Sequence, residues 1–187
     1  METTSKHPMT RKQIRQLTTS AVCLALCMVL PFVTGHIPQI GKALSPMHIP
    51  VFLCGFLCEW PYAVLTAFIA PLLRNLLFNM PAMPGAFAMA FELATYGLVA
   101  SVLYRKFPKT TPFLYVTLLC GMVAGRLVWG AARFVLAGLS GSTFPFSAFL
   151  AGAVTNAIPG IILHIVLIPA LALALKRAGV LRDGGIS

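Results

Sequence analysis

Apolar residues run along this chain in long blocks, separated by short polar or proline-rich intervals. A helix needs about 20 apolar residues to cross the hydrocarbon of a bilayer. The first block of that kind covers 17–34. A loop over 36–47 follows, with Pro38, Gly41 and Pro46 as breakers. The stretch 48–78 is too long for one span and is interrupted at Glu59-Trp60-Pro61, where a charge and a proline mark a turn. It reads as a short helix, 48–58, and a third helix, 62–78. A proline-punctuated loop over 79–85 leads into a fourth helix, 86–104, and a fifth spans 113–139. Ser140, Gly141, Ser142 and Thr143 form the next loop, and the sixth helix covers 147–176. Pro159-Gly160 and Pro169 predict a kink in it. The pattern predicts an all-α integral membrane protein, a six-transmembrane-helix bundle.

Composition agrees with the pattern. The 187 residues are 58% hydrophobic and 10% charged, where soluble domains carry roughly 25% charged residues. A core alone cannot absorb that much apolar surface, so lipid is the second solvent. The length suits one domain: a basic tail over 1–16, a membrane domain over 17–178 and a second tail over 179–187. The apolar stretch after Arg15 has no small-residue cleavage site behind it, so the first span is expected to be retained.

Charge placement sets the expected orientation. Net charge is +10, from 14 Lys and Arg against 4 Asp and Glu. Lys6, Arg11, Lys12 and Arg15 precede the first span; Arg105, Lys106 and Lys109 share one loop; Lys176, Arg177 and Arg182 follow the last. Ten of the 14 basic residues thus fall in three clusters, as cytoplasmic loops require. Six spans put all three on one side, N-in and C-in. Reading 48–78 as a single tilted helix would send 105–109 outside. No soluble basic face with interleaved aromatics exists, which excludes a nucleic-acid partner.

Ionisable and polar groups inside the spans are the candidate chemistry, because each is costly in lipid. Arg126 and Arg133, seven apart on the fifth helix, share a face, with Trp129 on the same side. Glu92 and Tyr96 are one turn apart on the fourth. Arg74 and Asn75 lie near the outer end of the third, and Asn156 mid-way along the sixth. Three arginines against one carboxylate point to a pocket for a small anionic solute, which Arg grips bidentately. The alternative is a structural Glu92–Arg bridge with another Arg snorkelling to the interface.

His48 begins a helix on the outer side, while His164 is expected deeper, toward the inside; that mismatch argues against a haem or metal site. No HExxH or GxSxG string occurs, so no catalytic residue is assigned. Two acids in the membrane region supply a proton relay poorly. The cysteines at 23, 27, 54, 58 and 120 read as buried small thiols rather than disulfides or metal ligands. Ala21 and Ala25 form an AxxxA on the first helix, and Gly121 and Gly125 a GxxxG on the fifth; such pairs let helices approach closely.

The basic tail, the six short-looped helices and the AxxxA are joined by three strings: Ser45-Pro-Met-His-Ile-Pro-Val-Phe-Leu-Cys-Gly, Ala70-Pro-Leu-Leu-Arg-Asn-Leu-Leu-Phe-Asn-Met-Pro and Ala90-Phe-Glu-Leu-Ala-Thr-Tyr-Gly. Together they resemble the substrate-binding S components of energy-coupling factor (ECF) vitamin transporters, over most of the chain. The resemblance implies a bacterial cytoplasmic-membrane protein that captures one vitamin from outside in a pocket under its first loop. It implies that Ala21 and Ala25 pack on a membrane-embedded coupling subunit. Two cytoplasmic ATPases would use ATP and Mg, with no cofactor in this chain, which has no P-loop. The arginine surplus, with Trp129 and Tyr96 for ring contact, leans toward an anionic vitamin, pantothenate slightly ahead of nicotinate. A neutral vitamin such as pyridoxine requires the arginines to be structural. The rivals are a stand-alone secondary transporter of a small organic anion, though no clear repeat joins the halves, and a non-catalytic structural membrane subunit.

Overall fold

A computed structural model describes residues 9–34, 44–153 and 155–181. Lys6, Arg182, most of the 36–47 loop and the side chain of Asn156 lie outside the described residues. Most of the described residues are helical: α1 (Arg11–Val29), α2 (His48–Leu57), α3 (Trp60–Phe78), α4 (Gly85–Lys106), α5 (Thr111–Leu139), α6 (Phe146–Ala153) and α7 (Ile158–Arg177). Short 3-10 turns, Leu30–Thr34 and Thr155–Ala157, follow α1 and precede α7.

Local chemistry sets the boundaries. α1 starts at Arg11, before the apolar block, because Thr10 and Gln13 form a reciprocal capping box that satisfies orphan N–H groups. The long block 48–78 does break: Cys58 and Glu59 are extended, and Trp60-Pro61 open the next helix. α1 holds that break, since the Glu59 N–H donates to Gln16 Oε1 at 2.8 Å and Lys12 Nζ reaches Glu59 at 2.6 Å. α3 ends on Asn79 in the left-handed region at φ 54, a place where Asn is tolerated. The expected kink in the last helix is instead an interruption over Thr155–Ala157, with Pro159 in the first turn of the new helix. Proline fits there because its missing N–H has no intrahelical partner.

Among the described residues five helices, counting Phe146–Arg177 as one, are long and apolar enough to cross a membrane. α2, with 10 residues, is not. At 1.5 Å per residue it covers ~15 Å, half a bilayer's hydrocarbon. Its last residues lie beside the start of α1, and Met47, just before its first residue His48, lies against Cys27, so α2 runs antiparallel along α1. The chain entering it is irregular, with Ser45 at φ 45, yet Ser45 and Met47 are buried. Irregular backbone within a membrane domain is tolerable only where protein encloses it.

α4 is the centre, packed on α2, α3 and α5. Lipid tails are as apolar as leucine, so small residues and close packing do the joining. Ala63, Ala67 and Ala70 line one face of α3 and are fully buried. Gly97 of α4 meets the Ala63 carbonyl so closely that a Cβ there would lie 2.9 Å from its oxygen. Ser101 Oγ donates to the Cys58 carbonyl at 3.1 Å, and Lys176 Nζ to the Lys109 carbonyl at 2.9 Å. These contacts gather the described members of all three basic clusters at one end of the bundle.

Candidate functional site

Glu92 is the hub of the buried polar groups. It lies two turns into α4, and Tyr96, one turn further, donates its hydroxyl to Glu92 Oε1 at 2.6 Å. Arg126 reaches the same oxygen from α5 at 3.0 Å. Glu92 is 3% exposed and the Arg126 side chain 19%, so the pair is largely desolvated and its charges cancel locally. Gly125 makes this geometry possible: the Tyr96 ring occupies the space a side chain at 125 would need. Gly121 plays the same part for Phe52, which stacks on Tyr96 with centroids 4.9 Å apart. The GxxxG of α5 therefore seats aromatic rings rather than a neighbouring backbone.

Two histidines complete the cluster, and here the sequence-based expectation of different depths fails. The His48 and His164 rings stack at 5.2 Å with 17° between planes. The half-length α2 lowers His48 into the bundle to meet His164, something no linear count of spans reveals. His164 Nε2 sits 3.2 Å from the Ser45 carbonyl, which anchors that ring. His48 Nε2 is 3.6 Å from Glu92 Oε1, too long for a hydrogen bond. Both His48 ring nitrogens are buried with no hydrogen-bond partner. Sequence reasoning placed neither histidine in the site; the Ser45–Gly55 string that carries His48 was the available signal. Among the described residues no group of three or more His, Cys, Asp or Glu side chains is placed to hold a metal.

The remaining expected site residues divide into two further places. Arg133, two turns beyond Arg126, lays its guanidinium over the Phe144 ring at 5.1 Å, with Nε buried and unpartnered. Trp129 meets Phe144 edge-on at 6.0 Å and stacks on Phe149 at 6.3 Å, so α6 and the preceding loop close over this part of α5. Arg74 is not brought to Glu92. It donates to the Met28 carbonyl at 2.7 Å and lies between the Phe32 and Phe78 rings, 5.1 and 5.2 Å from their centroids. There the cation meets the carbonyl end of α1, where a helix dipole favours positive charge. Asn75 donates to the Pro81 carbonyl at 2.7 Å and secures the turn after α3.

On the opposite side of the molecule, Ala21 and Ala25 are exposed among Val22, Leu26 and Val29, while Cys23 and Cys27 face inward. The thiols pack between α1 and α2, with Cys27 Sγ 3.8 Å from the Met47 carbonyl and Cys58 Sγ 3.7 Å from that of Gln16. Cys120 departs from the expectation of burial and lies exposed on α5.

A family model described as the substrate-specific component of ECF transporters matches residues 15–172. No curated protein and no solved structure matches the chain. The match runs from the last basic residue before the first apolar block into α7, and so takes in every side chain of the buried cluster. This chain belongs to the family of ECF-transporter substrate-specific components: it is a multi-pass membrane protein and a substrate-binding, non-catalytic subunit of a transport system.

Proposed function

We propose that this protein captures a vitamin or related micronutrient from the outer face of a bacterial cytoplasmic membrane and passes it inward with partner subunits. Three basic clusters at one end of the bundle support a cytoplasmic position for that end, with both termini inside and the path crossing six times. The 17–178 segment then forms the substrate-binding domain, flanked by tails over 1–16 and 179–187. Glu92, Tyr96 and Arg126 form the floor of the site; Trp129 and Arg133 form its mouth. Arg74 and Asn75 act by holding the ends of α1 and α3.

The observation that carries an anionic ligand is Arg133. Among the described residues it has no carboxylate partner, whereas the charge of Arg126 is met by Glu92. Arg133→Ala is expected to weaken an anionic vitamin by about 2–5 kcal/mol, measured by calorimetry in detergent. Unchanged affinity would make Arg133 structural. Pantothenate and nicotinate are the favoured cargoes. Native mass spectrometry of the purified chain, with identification of any released molecule, tests the capture reading directly. No bound vitamin, and no thermal shift across a vitamin panel, would reject it.

A membrane-embedded coupling subunit would take the exposed Ala21–Ala25 face, and two cytoplasmic ATPases would supply the energy with ATP and Mg. Ala21→Glu or Ala25→Glu should abolish uptake and spare vitamin binding; equal loss of both would remove that face from the partner interface. The half-length α2 and the interrupted α6–α7 pair also suit a stand-alone secondary transporter, in which such broken helices surround the substrate. Uptake by the purified chain alone in liposomes would establish that second reading.

A further inference from the structure

His48 has a chemistry that the charged pair beside it does not satisfy. It is 2% exposed, and both ring nitrogens are shut off from solvent without a hydrogen-bond partner. Buried polar atoms are nearly always paired, and leaving one unpaired costs its full desolvation penalty. Nε2 at least faces the Glu92 carboxylate at 3.6 Å, whereas Nδ1 has no polar partner, and it marks the place where a partner belongs.

The class of that partner follows from what surrounds the ring. A neutral imidazole offers one donor and one acceptor. Glu92 and Arg126 cancel each other at 3.0 Å, so the floor has no cation to spare. A ligand carboxylate beside His48 would lie within reach of the Glu92 carboxylate and be repelled. A hydroxyl, which both donates and accepts, matches His48 without adding charge. His164, stacked on the other ring and anchored at the Ser45 carbonyl, holds the imidazole in place. Arg133, which has no carboxylate partner among the described residues, is seven residues beyond Arg126, ~10 Å along the helix.

We propose that His48 reads a hydroxyl group of the transported solute, and that any anionic group on the same solute sits roughly two helical turns away at Arg133. This rests on the capture reading and narrows it. A compact acid without a hydroxyl, such as nicotinate, fails the first condition; pantothenate meets both, and pyridoxine meets the first.

The experiment is calorimetry on the purified full chain, using pantothenate, pyridoxine and nicotinate as probes, repeated on His48→Phe and His48→Asn. Phe keeps a ring for the stack but removes the nitrogens, whereas Asn keeps a donor and an acceptor but removes the ring. The hydroxyl reading expects binding of pantothenate or pyridoxine but not nicotinate, at least a tenfold loss in His48→Phe, and a smaller loss in His48→Asn. Wild-type affinity in His48→Phe with loss in His48→Asn would make His48 a packing residue and overturn the proposal, leaving the capture reading intact. If His48→Phe does not fold, the unaltered protein decides: nicotinate bound as tightly as the hydroxylated probes overturns it. Failure of the unaltered chain to bind any of the three overturns it too, and the wider vitamin panel then judges the capture reading separately.

Discussion

Arg126 and Arg133 stand on one face of one helix, two turns apart, and yet they live in different chemistry. Arg126 is paired with a carboxylate that also receives the Tyr96 hydroxyl, in a cluster built from α2, α4, α5 and α7. Arg133 lays its guanidinium over Phe144 and has no carboxylate partner among the described residues, while Trp129 beside it packs on Phe144 and Phe149. The first holds a paired carboxylate and guanidinium; the second is a cation under the Phe144 ring. The contrast is one of compensation: the Arg126 charge is met inside the bundle, whereas Arg133 has no carboxylate partner among the described residues, which is what the proposed anion site rests on.

Perturbing each place should show that difference in stability. The largest effect is expected from Glu92→Ala, which strands Arg126 without its partner. Breaking a buried pair from one side costs about 3–5 kcal/mol, and the 19% exposure of Arg126 draws the value toward the lower figure. Denaturant unfolding of the purified protein measures it; a loss below about 1 kcal/mol would mean the network is not structural. Gly125→Ala comes next, since its new methyl must displace the Tyr96 ring. Overpacking of that kind costs about 1–3 kcal/mol, read by the same unfolding curves, and unchanged stability would show that the ring has room to move. The smallest effect is expected from Arg133→Ala, which forfeits a cation–π contact worth about 0.5–2 kcal/mol. Its stability should stay close to that of the unaltered protein while anion affinity falls. Destabilisation matching Glu92→Ala would erase the distinction between the two arginines.

The membrane helices and most of their ends were legible because the bilayer imposes one length and one polarity on every span. Glu59-Trp60-Pro61 marked its own break, and Glu92 with Tyr96 announced themselves as one-turn neighbours. His48 and His164 did not, because counting spans assumes that each helix runs the full depth. Arg74 looked like a third ligand-facing cation because sequence gives the end of the helix it occupies but not the neighbour it turns toward. Its neighbour is the carbonyl end of α1, and that depends on how α1 and α3 pack.

By itself the sequence determined that this chain lives in lipid, which end of the bundle is basic, and which helices carry the ionisable groups. Those follow from composition and from spacing along single helices, where geometry is periodic and local. The tertiary structure alone decided that two histidines 116 positions apart stack, and that one arginine is neutralised while its neighbour two turns away is not. Those depend on distances between helices, and close packing among small residues sets such distances only when every helix is in place.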